Sequence, residues 1–217
     1  MENTRTKTTR NSLILLLTAA IWGMAFVSQS KGMDYMHPFT FNGVRSLIGA
    51  ASILVYILIS RKIAGDKAAP LDWKLNVKAG LLCGIFLTIA STLQQFGIKY
   101  TSVGKAGFIT TLYIIFVPMF GIFLKKKVAP VVWVAAVMAA VGMYLLCMTE
   151  SLRLGAGDIM VFLCAIAFAI QIMTVDHYAA RIDGAVVSCI QFTVCGVVCC
   201  IGALIWGQPT FGQLQEG

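Results

Sequence analysis

Apolar runs and isolated charges alternate along this chain. Uncharged windows lie between Arg10 and Lys31, Lys78 and Lys99, Lys105 and Lys125, Lys127 and Glu150, and Asp158 and Asp176, with a last one from Asp183 to Trp206. A further window, from Asp34 to Arg61, is interrupted by Arg45 alone. About 20 apolar residues are needed to cross a ~30 Å hydrocarbon core as a helix, whereas a barrel strand alternates in and out over about 10. The pattern therefore predicts an all-α, polytopic membrane helix bundle of seven transmembrane helices. Pro38, Pro70 and Pro130 stand at or just before helix starts, where a missing amide hydrogen costs little. Pro118 lies inside the fourth run, "LYIIFVPMFG", and predicts a kink there.

Residues 12–60 overlay residues 158–206 in hydropathy and punctuation, an offset of 146 positions. Five spans separate the two copies, and an odd number turns the second copy over in the membrane. The reading is an inverted five-helix repeat, a plan of secondary transporters. Its first unit is residues 1–149, and residues 150–217 begin the second, incomplete unit with two helices.

Composition leaves no room for a soluble domain: 59% of residues are hydrophobic and 12% charged. Of the 17 basic residues, twelve fall in the termini and loops on one side and four on the other. Lys and Arg accumulate on the cytoplasmic side of short loops, which predicts a multi-pass protein of the plasma (inner) membrane with a cytoplasmic N-terminus. The net charge of +8 reads as topology signal and contact with anionic membrane lipids, and no basic stretch is interleaved with aromatics as nucleic-acid binding would require. The first run continues to about Val27 without a small-x-small cleavage site, so it reads as an uncleaved span. All seven cysteines fall inside predicted spans and form no CxxC, which supports neither a disulfide framework nor a metal site. Hydrolase, metalloprotease and phosphate-loop motifs are absent, and His37 and His177 fall in loops on opposite sides. No catalytic residue, metal or cofactor is expected.

The candidate chemistry is polar residues inside apolar spans. Arg45 sits about 10 Å past the start of the second span, at 1.5 Å per residue, where a charge faces a cavity, a partner or the headgroups. Snorkelling and cavity lining both fit it. Thr88, Ser91, Thr92 and Gln95 are spaced i, i+3, i+4, i+7, one helical face, with Gln94 beside them. That face meets other helices or a polar path. Thr110, Thr111 and Tyr113 precede Pro118. Trp22, Ser28 and Gln29 come from the first span, and Gln171, Ser188 and Gln191 from the sixth and seventh, with Gln191 falling on the Arg45 position under the repeat offset. Gly80 and Gly84 form a small-xxx-small packing pair. The substrate-binding set is Trp22, Arg45, Thr88, Thr92, Gln95, Tyr113, Gln171 and Gln191.

The stretches "AAIWGMAFVSQSKG", "HPFTFNGVRS", "GIKYTSVGKAGFITTLYIIFVPMFGIFLKKK" and "GDIMVFLCAIAFAIQIMTVDHYAARI" resemble, in order and spacing, the EamA-like branch of the drug/metabolite transporter superfamily. That resemblance implies a ten-helix carrier of small metabolites or drugs, two inverted halves rocking around a central site, with the last three helices lacking here. An arginine in the second span is typical of the family. Three further readings stand beside it. A truncated non-transporting protein or scaffold would need a partner chain to supply the missing helices. A homo-oligomer is equally open. A seven-helix receptor or photosensor is disfavoured by the inside N-terminus and by a seventh span without lysine.

Overall fold

The computed structural model describes residues 2–65, 71–125, 128–147 and 155–207. Pro70 lies outside the described residues. The described chain is helical: α1 Glu2–Tyr35, α2 Pro38–Ala64, α3 Trp73–Tyr100, α4 Val103–Thr111, α5 Tyr113–Phe123, α6 Pro130–Cys147, α7 Ala156–Tyr178 and α8 Gly184–Gly202, followed by a π turn, Ala203–Gly207. Among the described residues, six spans are long and apolar enough to cross a membrane, α4 and α5 together making one of them, and α6 holds a shorter apolar stretch. The protein is a polytopic helical bundle.

Helix boundaries follow local chemistry. Pro38 and Pro130 open α2 and α6, as a residue without an amide hydrogen suits the first turn. α3 begins ahead of the uncharged window because the Asp72 carboxylate accepts the Leu75 amide at 3.0 Å and caps the helix. Asp183 does the same for Ala185 and Val186 of α8, at 3.0 and 3.3 Å. His177 lies in the last turn of α7, not in a loop.

The kink expected at Pro118 is displaced. α5 runs through Pro118, and the ladder breaks upstream at Leu112, whose amide turns to Ile109 O at 3.2 Å while its own carbonyl receives Ile115 and Phe116. The Thr111 hydroxyl donates to the Gly107 carbonyl just before the break. Such back-bonding competes with the helix ladder and bends it.

Packing centres on α3. α8 lies between α2 and α3, and α7 covers the other side of α3. α2 and α8 run antiparallel, since Gly43 meets Cys200, Leu47 meets Gly196, and Ala50 O receives the Cys189 thiol. Close approach requires glycine at the contacts: a Cβ on Gly80 would stand 2.7 Å from Ile190, and one on Gly84 2.8 Å from Val194. Gly157 of α7 meets backbone instead, with Gly97 O and Tyr100 C each 2.8 Å from where a Cβ would be. Small residues at helix crossings are the usual route to tight association where lipid offers no hydrophobic drive.

Each end of the bundle carries a polar tie. At the end holding the α3–α4 connection, buried Asp158 pairs with Lys105 at 2.8 Å, accepts the Gly155 amide at 2.9 Å and receives the Thr101 hydroxyl. At the opposite end, Asn76 Oδ1 accepts the Asp183 amide at 2.8 Å, and Arg61 lies 3.6 Å from the Asp183 carboxylate. By contrast, the apolar stretch of α1 presents Leu13, Ile14, Leu15, Leu16 and Leu17 outward.

Candidate transport cavity

The α2–α3–α7–α8 core leaves a cavity of about 500 Å³ on its α1 side. That volume lies within the range of small-molecule sites. α1 contributes Ile21, Trp22, Ala25 and Gln29, α2 contributes Arg45 and Gly49, and α3 contributes Leu87, Ser91 and Gln94. Tyr113 at the start of α5, Phe168, Gln171 and Ile172 of α7, and Gln191 and Phe192 of α8 complete the wall.

Among the described residues, Arg45 is the only charged one in this lining, and it is accessible. Its position follows from a chain of hydrogen bonds. Asn42, fully buried one turn earlier, donates from Nδ2 to the Ser91 carbonyl at 2.9 Å and accepts the Arg45 guanidinium on Oδ1 at 3.1 Å. The Phe41 ring lies 5.6 Å from the guanidinium carbon, within reach of a cation–π contact. α2 thus holds the guanidinium from its own side.

Across the cavity, Gln171 Nε2 donates to Gln191 Oε1 at 3.1 Å and joins α7 to α8. Gln94 Nε2 donates to Thr110 Oγ1 at 3.3 Å. These amides are neutral, as are Ser91 and Tyr113, so the wall is polar in places, apolar in most, and positive at one point.

Of the eight residues read from the sequence as substrate-binding, the structure brings Trp22, Arg45, Tyr113, Gln171 and Gln191 to this cavity. Thr88, Thr92 and Gln95 lie outside its lining. The Thr88 hydroxyl bonds the Gly84 carbonyl at 2.7 Å, Thr92 faces Cys199 Sγ at 3.8 Å, and the fully buried Gln95 donates to Gln29 O at 3.3 Å. Ser91 has both relations: its backbone carbonyl takes Asn42, and its hydroxyl lies 3.4 Å from Cys195 Sγ in the seam with α8. On α3 the cavity face is Leu87, Ser91 and Gln94, rotated from the Thr88–Gln95 stripe and sharing one residue with it.

The lining residues that sequence reasoning left out are mostly apolar, Phe168 and Phe192 above all, and nothing in local sequence separates them from lipid-facing phenylalanines. Among the described residues, no group of three or more His, Cys, Asp or Glu side chains assembles as metal ligands.

Outside the spans, His37 caps α2, its Nδ1 accepting the Phe39 amide at 3.4 Å. Partial burial, and then the nearby Lys99 charge, hold its imidazole below the usual range.

Comparison with known proteins gives this geometry a context. The EamA-like transporter family matches residues 10–148. An uncharacterized transporter of Archaeoglobus fulgidus is 31% identical over 166 residues, covering 76% of this chain and 48% of the relative. The chain thus spans about half the length of that curated relative. No solved structure matches it.

Proposed function

The chain belongs to the EamA-like transporter family, and we propose that it is a multi-pass membrane transporter that carries small metabolites or drugs by alternating access around the cavity beside Arg45. The supporting observation is a pairing within the lining. Trp22 and Phe168, Ala25 and Gln171, and Arg45 and Gln191 are each separated by 146 positions, the offset of the internal repeat, and all six line the cavity. A site assembled from corresponding positions of two inverted halves stays central while the halves rock about it, which is what alternating access requires.

The role is transport and not catalysis. Trp22, Tyr113, Gln171, Gln191 and Arg45 contact the substrate, and Asn42 positions Arg45. Thr92 and Gln95 brace α3 against α8 and α1, and Thr88 bonds within α3. The excess of Lys and Arg in one set of loops supports a cytoplasmic N-terminus in the plasma (inner) membrane, and reporter fusions at the N-terminus and in the α2–α3 connection test it, both reporting cytoplasmic.

Gly49 offers a direct test of the carrier reading. A Cβ there meets only Phe192 Cγ, at 4.0 Å, and Gly49 lies in the lining, so Gly49→Trp starts a large side chain into the cavity from a position with room for its Cβ. Cells expressing the chain are screened for net flux against a panel of labelled metabolites. The reading predicts flux of at least one compound, abolished by Gly49→Trp at equal membrane abundance. Flux that survives the tryptophan contradicts it.

A further inference from the structure

We infer that the cavity selects small organic anions, monocarboxylates with an apolar body, and that Arg45 holds the carboxylate; this rests on the carrier reading and narrows its substrate class. The first support is an imbalance of charge. Arg45 lies within a membrane span, is charged at every accessible pH, and among the described residues shares the cavity with no acidic side chain. Its hydrogen bond among the described residues goes to the neutral Asn42 Oδ1. A guanidinium offers five N–H donors, so most of them remain for a ligand.

The second support is preorganisation. Asn42 is fully buried and anchored on the Ser91 carbonyl, and Phe41 sits against the same guanidinium. An arginine that snorkelled to the headgroups would need none of this. Fixed from behind, it presents a planar donor fork, which matches two carboxylate oxygens better than any neutral group.

The rest of the wall describes the body of the ligand. Trp22, Phe168 and Phe192 surround the cavity with aromatic surface, while the Gln171–Gln191 pair engages one donor and one acceptor with each other and is neutral. A compact apolar body next to one negative group fits that lining. A cation meets Arg45 in a low-dielectric site and is rejected.

Three labelled probes of one shape and different charge test the inference on the purified full chain in a neutral detergent: phenylacetate, phenylacetamide and phenethylamine. Phenylacetate is expected to bind at least ten-fold more tightly than phenylacetamide, with phenethylamine weakest. Arg45→Gln is expected to bring the anion and the amide to within two-fold of each other, chiefly by weakening the anion. Arg45→Lys keeps the sign of the preference and covers the case in which the glutamine variant does not fold. Equal binding of anion and amide to the wild type, lost in Gly49→Trp, overturns the anion inference and leaves the carrier reading standing. Binding of none of the three overturns the inference, and the flux test on Gly49→Trp then decides the carrier reading separately.

Discussion

The cavity wall and the seam between α3 and α8 use the same polar residue types and use them differently. In the seam each hydroxyl is answered at once: Thr88 by its own helix, Thr92 and Ser91 by the thiols of Cys199 and Cys195. On the wall, Arg45 keeps donors in hand, and among the described residues Gln171 and Gln191 are joined by a single bond across two helices. A polar residue in a membrane span marks a site when its neighbours leave it incomplete, not simply because it is polar.

Substitutions that separate wall from seam should have effects of very different size. The largest is expected from Gly157→Val, because the new side chain meets the backbone of Gly97 and Tyr100, which cannot swing aside. Overpacking of this kind costs about 3 kcal/mol. A thiol-reactive dye that reports exposure of the buried Cys83, Cys164, Cys195 and Cys199 should show a sharply lower melting temperature. An unchanged melt would mean that α3 and α7 are not so close.

Asn42→Leu comes next. It strips the Ser91 carbonyl of its donor and Arg45 of its anchor, at about 1–3 kcal/mol for the unmet buried group. Both stability and flux should fall. Arg45→Gln should do the opposite of Gly157→Val, lowering flux at least ten-fold with a melt within a few degrees of wild type. Gln171→Ala removes one neutral, part-buried bond, about 1 kcal/mol, and should alter flux more than stability.

The smallest effect is a pH dependence. His37 is held below its usual pKa in the folded chain, so the unfolded chain binds more protons near neutrality. Its contribution is complete above about pH 6.5 and is lost as pH falls toward the depressed folded value, where the ring protonates and can no longer accept the Phe39 amide. The melting temperature should drop slightly between pH 7 and pH 5, and that drop should vanish in His37→Asn, which keeps a cap without the titration.

The spans were legible because charge spacing and bilayer thickness act on whole segments, and Pro38 and Pro130 mark helix starts by their own chemistry. The break at Leu112 was not, because nothing in the local sequence marks it: the Thr111 hydroxyl bonds backward there, but Thr88 and Thr174 do the same in helices that run on. For the cavity, Arg45 stood out as a lone charge, and Gln171 and Gln191 as lone amides. The stripe Thr88–Ser91–Thr92–Gln95 misled about the wall because periodicity identifies a shared face but not what lies opposite it. α3 is covered on several sides, and only tertiary packing assigns Gln94 to the cavity and Gln95 to the interior.

The claim that the Gln191 face is the path and the Gln95 face is structure can be tested with two single substitutions. Gln191→Cys and Gln95→Cys are each exposed in native membranes to a small hydrophilic thiol reagent, and the rate is taken above the background of the native cysteines. The account predicts fast modification of Gln191→Cys, blocked by Gly49→Trp, and no modification of Gln95→Cys before unfolding. Modification of Gln95→Cys as fast as that of Gln191→Cys would contradict it.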